Sequence, residues 1–235
     1  VLGFGIPLKM AIAAITVCMF PAALLSTFYN HRAKQIDYFV GVIFEIPTMV
    51  GAVIGAYLTT IVPVKPLEIM FSVLVLFMGY KIVRKKKDQA KLNFLHRFNQ
   101  VPPLFHREGD QPYQFGLPAI GSLGAFAGIL AGMFGVGGGI IKTPVMLKIF
   151  KMPARKATST ALFMIVFTSA TASYSHWSHG RLDWNLATPL IVAFFMGSVI
   201  GNQFTSKIKP KALEMTLGYV LIASSFAIII HAFFL

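Results

Sequence analysis

The chain has 235 residues, of which 56% are hydrophobic and 12% charged, with a mean hydropathy of +0.70. Because this composition is too apolar for a soluble domain, it predicts an all-α, polytopic integral membrane protein in a lipid bilayer. The formal net charge of +13 favours basic loops that set membrane orientation, so we expect no nucleic-acid partner. The single cysteine, Cys18, excludes an internal disulfide.

Crossing the hydrocarbon core takes about 20 residues of helix. Apolar stretches of about this length predict spans at 6–30, 37–61, 66–84, 117–135, 155–177, 183–206 and 211–235. A shorter apolar segment covers 139–150, and no cleavable signal peptide is predicted at the start.

The glycine-rich stretch from Gly135 to Pro144 interrupts the apolar sequence. Glycine and proline both disfavour a helix interior, so this stretch predicts a broken helix. Non-helical backbone at membrane depth survives only inside protein or beside a wet cavity, and transporters build substrate sites from such breaks.

An internal repeat relates the two ends of the chain. A shift of 146 residues places Gly51-Ala52-Val53-Ile54-Gly55 on Gly197-Ser198-Val199-Ile200-Gly201 and Asp37-Tyr38 on Asp183-Trp184. We therefore predict a first repeat over 1–84, a basic linker over 85–116 and a second repeat over 117–235. The same shift puts the first copy of the glycine-rich stretch before Val1, where we expect a missing N-terminal part.

Basic residues in the linker and in short loops predict the orientation of the repeats. With the linker in the cytoplasm and the protein in the plasma membrane, the two repeats have inverted topology. Residues 117–150 must then leave the cytoplasm and return, either as a tilted short span or as a re-entrant hairpin with the glycines at its tip.

The second repeat carries GVGGGIIKTP at 135–144, then Ala157-Thr158-Ser159-Thr160 and Gly180-Arg181-Leu182-Asp183-Trp184. These motifs resemble the TauE/SafE permeases, also called the 4-toluene sulfonate uptake permease family, and the resemblance covers nearly the whole chain. It implies a membrane carrier of a small sulfur-containing anion such as sulfite, sulfoacetate or an organosulfonate. The first repeat departs from the family at Ala13-Ala14-Ile15, where a small-Thr-Ser run is common and Thr16 is the nearest substitute.

A small oxyanion in a membrane needs backbone N–H groups, hydroxyls and at most one or two cations. The predicted substrate-binding residues supply all three: Gly137, Gly138, Gly139, Lys142, Thr158, Ser159, Thr160, Thr168 and Ser169. The alternatives are close helix packing for the glycines, hydrogen bonds within the helix for the hydroxyls, and a lysine that reaches a lipid headgroup.

Glu45 is the candidate for proton coupling. It lies eight residues after Asp37, about 12 Å into its span, and an ionisable group at that depth is a functional candidate. A structural acid near Pro47 is the alternative, and coupling to sodium stays open.

The remaining ionisable residues have structural interpretations. Asp37 and Asp183 are predicted helix caps, Glu68 and Glu214 first-turn residues that suit the helix dipole, and His176 and His179 an interfacial pair rather than metal ligands. We predict no metal and no cofactor.

The leading function is a secondary transporter that works by alternating access around a midplane site. The alternatives are an anion channel and an intramembrane enzyme or relay for sulfur compounds. The enzyme alternative lacks a convincing nucleophile, because Cys18 has no histidine or lysine nearby in its span. No nucleotide-binding or hydrolase motif is present, so we predict that the protein is not an enzyme.

Overall fold

A computed structural model describes residues 8–84, 103–108, 111–135, 137–150 and 152–205, with 215, 219, 222–227 and 230. The helices within these ranges are α1 (Leu8–Arg32), α2 (Tyr38–Ile61), α3 (Val64–Arg84), α4 (Leu117–Phe134), α5 (Gly139–Lys148), α6 (Ala154–Ser178) and α7 (Trp184–Thr205). They confirm the all-α class and agree with six predicted spans to within a few residues. The predicted span 211–235 lies largely outside the described residues, as do 85–102 of the linker.

Within the linker, β1 (Pro103–Glu108) pairs antiparallel with β2 (Gln111–Gly116), and α4 follows directly. This hairpin lies within the predicted basic linker over 85–116, for which no strands were predicted.

Four of the described helices are long and apolar enough to cross a membrane: α1, α2, α4 and the part of α7 from Trp184 to Gly201. α6 is as long as α1 but less apolar, because it carries many hydroxyl residues. Several of its polar side chains are buried in the protein: Ser159, Thr160, Thr168, Ser169, Ser175 and His176.

α2 and α4 cross in very close contact. A Cβ atom added to Gly128 would lie 2.0 Å from the carbonyl oxygen of Thr48, and one added to Gly55 would lie 2.1 Å from that of Ile129. Small residues at this spacing allow helix backbones to approach closely in a bilayer. The contact positions advance together along both helices, so α2 and α4 run parallel.

α6 packs between α1 and α2. Thr160 near its start accepts a hydrogen bond from the backbone N–H of Asp37, so α6 begins where α2 begins. Ser159 donates to Asn30 near the end of α1, at 2.8 Å, so α1 and α6 run antiparallel. α7 packs against α1 in the parallel sense, since Cys18 contacts Ala187 and Ser198 donates to the carbonyl of Ala22.

The structure tests the predicted structural roles of the ionisable residues. Asp37 caps α2 by accepting from Val40 N–H at 3.0 Å, and Asp183 accepts from Asn185 N–H at 2.9 Å, as predicted. The first-turn prediction for Glu68 is wrong, because α3 begins at Val64 and places this buried acid in the second turn. Glu214 lies outside the described residues.

The two histidines that were predicted as an interfacial pair differ in burial. Its side chain is fully buried, and its Nε2 lies 3.0 Å from the carbonyl oxygen of Gly132, while His179 is exposed. The described residues contain no group of three His, Cys, Asp or Glu side chains that could hold a metal ion.

Candidate functional site

α4 ends at Phe134 and α5 begins at Gly139, with glycines between them. Gly135, Gly137 and Gly138 all have φ between 66° and 69°, a backbone conformation that residues with a side chain rarely adopt. The N–H of Gly135 closes α4 by donating to the carbonyl of Ala131, and the carbonyl of Gly138 accepts the first bond of α5 from Lys142 N–H. Glycines therefore allow one helix to end and another to begin within four residues.

The glycines of this break lie inside the protein. Gly135, Gly137 and Gly138 are buried, and Gly139 is half-buried. Gly135 packs against Ile12 of α1, and Gly137 lies between Met19 of α1 and Ile165 of α6. Because Gly138 lies beside Ala127 and Ala131 of α4, α5 turns back along α4.

Lys142 is the central residue of the site. Its side chain is fully buried and runs back toward the break, since a Cβ atom added to Gly138 would lie 3.2 Å from its Cε. Its Nζ donates to Oε2 of Glu45 at 2.7 Å and to Oγ1 of Thr168 at 2.6 Å. The cation is thus held by α2 and α6, and not by a lipid headgroup.

Glu45 and Thr168 complete a closed network. Glu45 is only 3% exposed, and its Oε1 accepts a hydrogen bond from the Thr168 hydroxyl, which also lies 3.1 Å from the carbonyl oxygen of Met164. Both oxygens of the carboxylate therefore have partners. Buried charges require such pairing, because an unpaired charge in a low-dielectric interior is very costly.

On α2, α4 and α6, the other charged residues and histidines lie well away from the pair along the helix. α4 contains no ionisable residue, and His176 on α6 lies eight residues beyond Thr168, about 12 Å along the helix. Asp37 lies about as far from Glu45 along α2. Lys142 and Glu45 therefore neutralise each other in otherwise uncharged surroundings.

The other predicted hydroxyls lie elsewhere. Ser169 donates to the carbonyl of Val166 on its own helix, and Thr158 is exposed. At the start of α6, Ser159 donates a hydrogen bond to Asn30, and Thr160 accepts one from the N–H of Asp37. Of the five predicted hydroxyl residues, the structure brings only Thr168 to Lys142.

A separate cavity of about 350 Å³ lies between α1, α6 and α7. Its described lining is almost entirely apolar and includes no ionisable residue: Val17, Phe20, Pro21, Ala170, Ser173 and Ile191. It therefore lacks the charge that an anion requires, unlike the surroundings of Lys142.

Comparison with known proteins now places the chain in a family. The profile of the sulfite exporter TauE/SafE family matches residues 1–228. The chain belongs to the TauE/SafE family. It is a membrane transporter.

Individual relatives agree with this assignment. A probable membrane transporter protein of Bacillus subtilis, YunE, is 29% identical over 91% of this chain and 78% of its own length. A probable membrane transporter protein of Methanocaldococcus jannaschii is 23% identical over 93% of this chain and 79% of its own length. Sulfite exporter TauE/SafE family protein 1 of Arabidopsis thaliana is 25% identical over 72% of this chain and 36% of its own length. No solved structure matches the chain.

Proposed function

We propose that this TauE/SafE transporter carries a small sulfur-containing anion, such as sulfite, sulfoacetate or an organosulfonate, and that Lys142 binds the anion. The observation that carries the proposal is a fully buried lysine ammonium group beside a glycine break in a membrane protein. Ionisable groups in such positions mark substrate pathways. The sulfite class comes from the Arabidopsis relatives, which are named sulfite exporter TauE/SafE family proteins.

The groups around Lys142 suit an oxyanion. The first hydrogen bonds of α5 are donated by the N–H groups of Ile141 and Lys142 to the carbonyl of Gly138, so the N–H of Gly139 precedes them at the start of the helix. Helix N-termini attract negative charge. Gly137 and Gly138 allow the backbone to approach a ligand without a side chain in the way, and Thr168 adds a hydroxyl donor. Together these residues form the proposed anion site.

The helix directions support inverted repeats over 1–84 and 117–235. Under the shift of 146 residues, α1 corresponds to α6 and α2 to α7. The equivalent helices α1 and α6 run antiparallel. In addition, α2 packs parallel to α6, and the equivalent pair, α7 and α1, is also parallel. A two-fold axis in the membrane plane produces this pattern, and alternating access by rocking one repeat against the other follows from it.

Charge placement supports a cytoplasmic linker in a plasma-membrane protein. The loop at 33–37 and the start of α6 lie at one end of the helical bundle, because Thr160 contacts Asp37 there. α4 begins at the same end, directly after the linker. These segments carry Lys34, Arg155 and Lys156, and positive loops favour the cytoplasmic side.

Counterflow in proteoliposomes tests the proposed function. The purified chain is reconstituted with unlabelled sulfite inside, and uptake of labelled sulfite, sulfoacetate and methanesulfonate is measured against empty liposomes. We expect saturable, accelerated exchange of at least one anion. Conductance without saturation would instead establish a channel, and conversion of the anion would establish an enzyme; either result would overturn the proposal.

A further inference from the structure

In the structure, a carboxylate from the protein itself lies where the proposed substrate would bind. Glu45 holds the ammonium group of Lys142 at 2.7 Å and also engages the Thr168 hydroxyl. We propose that Glu45 competes with the substrate for Lys142, so that the anion binds only when Glu45 takes up a proton, and each anion crosses with one proton. This inference rests on the proposed function, and it identifies the coupling ion.

The ammonium group of Lys142 already has hydrogen-bond partners within the protein. An ammonium group has three N–H donors, and two of them are already directed at Glu45 and Thr168. An oxyanion on the third donor alone would lie beside the Glu45 carboxylate, and two negative charges that close in a buried site repel each other. The ammonium group is fully buried, so the anion reaches it only if Glu45 gives up its contact.

The net charge of the Lys142–Glu45 pair also limits the binding of an anion. Lys142 and Glu45 together are neutral, so a monovalent anion added to them leaves one uncompensated negative charge in a buried, low-dielectric site. If Glu45 first accepts a proton, the positive charge of Lys142 remains and the anion neutralises it. A divalent anion would still leave one negative charge, and the site therefore favours monovalent sulfonates and hydrogen sulfite.

No other described group replaces Glu45 in this balance. α4 and α7 carry no ionisable residue, and α6 carries Arg155, Lys156 and His176 at least eight residues, about 12 Å, from Thr168. On α1 and α2 the other charged residues and histidines are Lys9, whose Nζ donates to the carbonyl of Thr60 at the far end of α2, His31 and Arg32 in the last turn of α1, and Asp37 at the start of α2. α3 carries Lys65, Glu68, Lys81 and Arg84, and α5 carries Lys148, six residues beyond Lys142 or about 9 Å along the helix. The charge balance of the site therefore depends on Glu45.

Methanesulfonate is the suitable probe, because it stays a monovalent anion across the working pH range. In proteoliposomes with wild-type protein, we expect the half-saturating concentration of methanesulfonate to rise about tenfold for each unit of increasing pH, over the pH range in which Glu45 is ionised in the empty site. The reason is that the anion-bound site holds one more proton than the empty site. Net uptake should bring in one proton per methanesulfonate, read with an internal pH dye, and should carry no current.

The variant Glu45→Gln removes the proton acceptor and leaves Lys142 in place. It should still exchange methanesulfonate at equal internal and external pH, with a half-saturating concentration that no longer depends on pH and without proton entry. Asp183→Asn is the matched control, since this exposed acid lies at the start of α7, and it should keep the wild-type proton ratio.

The outcomes separate this inference from the proposed function. Wild-type uptake of methanesulfonate without proton entry would overturn the inference, as would Glu45→Gln that retains the wild-type pH dependence. If Glu45→Gln does not reconstitute, the number of protons that enter with each methanesulfonate in the wild type decides. One proton per anion supports the inference, and zero protons per anion contradicts it. Absence of any saturable exchange by the wild type would reject the proposed function itself.

Discussion

Nζ of Lys142 lies 2.7 Å from Oε2 of Glu45, although 97 residues separate them in the chain. Lys142 belongs to the predicted second repeat and Glu45 to the first, so this buried ion pair joins the two. If the repeats rock against each other during transport, the pair must either separate or move as a unit. Exchange of Glu45 for a substrate anion would allow it to separate without leaving Lys142 unpaired.

Replacement of Lys142 alone should destabilise the protein. Lys142→Met leaves the buried Glu45 carboxylate without its cation, and breaking a buried pair in this way typically costs about 3–5 kcal/mol. We expect a clearly lower midpoint of thermal unfolding in detergent. The double variant Lys142→Met, Glu45→Gln should recover most of that loss, because no buried charge remains.

The control for this experiment is Lys65→Met, which removes an exposed lysine at the start of α3 and should leave the midpoint unchanged. If Lys142→Met unfolds at the wild-type temperature, the ion pair does not carry the stability assigned to it.

Thr168 should matter for transport through its hydroxyl. Thr168→Val keeps the shape of the side chain but removes the hydrogen bonds to Lys142 and Glu45, and a hydrogen bond to a charged group contributes about 1.5–3 kcal/mol. We expect sulfite counterflow to fall roughly tenfold or more. Thr168→Ser keeps the hydroxyl and should retain most activity; equal loss in both variants would argue for packing rather than hydrogen bonding.

The crossing of α2 and α4 should tolerate no added methyl group. A Cβ atom on Gly128 would lie 2.0 Å from the carbonyl oxygen of Thr48, so Gly128→Ala must push the helices apart, at about 1–3 kcal/mol. Thermal unfolding should begin several degrees lower. Gly197→Ala on α7 is the matched control, because no described atom outside its own helix lies within 4 Å of the added Cβ; a Gly128→Ala protein as stable as Gly197→Ala would refute the close crossing.

The buried His176 should act as a structural residue. His176→Phe removes the hydrogen bond between Nε2 and the carbonyl of Gly132, and a typical intramolecular hydrogen bond contributes about 0.5–1.5 kcal/mol. We expect a lower unfolding midpoint, measured beside His179→Phe, which alters an exposed histidine three residues away. Equal midpoints for the two variants would show that the buried contact contributes little.

The helices were predictable because the bilayer imposes a minimum apolar length. The helix caps were predictable because Asp37 and Asp183 directly precede their helices. The start of α3 was not predictable, because Val64 and Lys65 lie before the predicted span 66–84 and yet belong to the helix. The burial of His176 depends on α4, whose Gly132 presents a carbonyl to it, and no pattern near His176 indicates this partner.

The candidate site was predictable in its members but not in its pairing. Gly138, Lys142, Thr168 and Glu45 stand out individually, as glycines, hydroxyls and charges in apolar sequence. Lys142 was predicted to bind the substrate and Glu45 to bind a proton, and no contact between the two was predicted. Only the packing of the helices decides that Thr168 joins them, while Ser159 donates to Asn30 near the end of α1 and Thr160 accepts from the N–H of Asp37.

Anion binding by Lys142 is tested most directly by sulfite counterflow with the charge-neutral double variant Lys142→Met, Glu45→Gln. Removing both charges keeps the buried site neutral, so loss of transport cannot be assigned to misfolding if the variant unfolds near the wild-type temperature. We predict saturable exchange by the wild-type protein and exchange at the level of empty liposomes by the folded double variant. Exchange by the double variant at the wild-type rate would contradict the account.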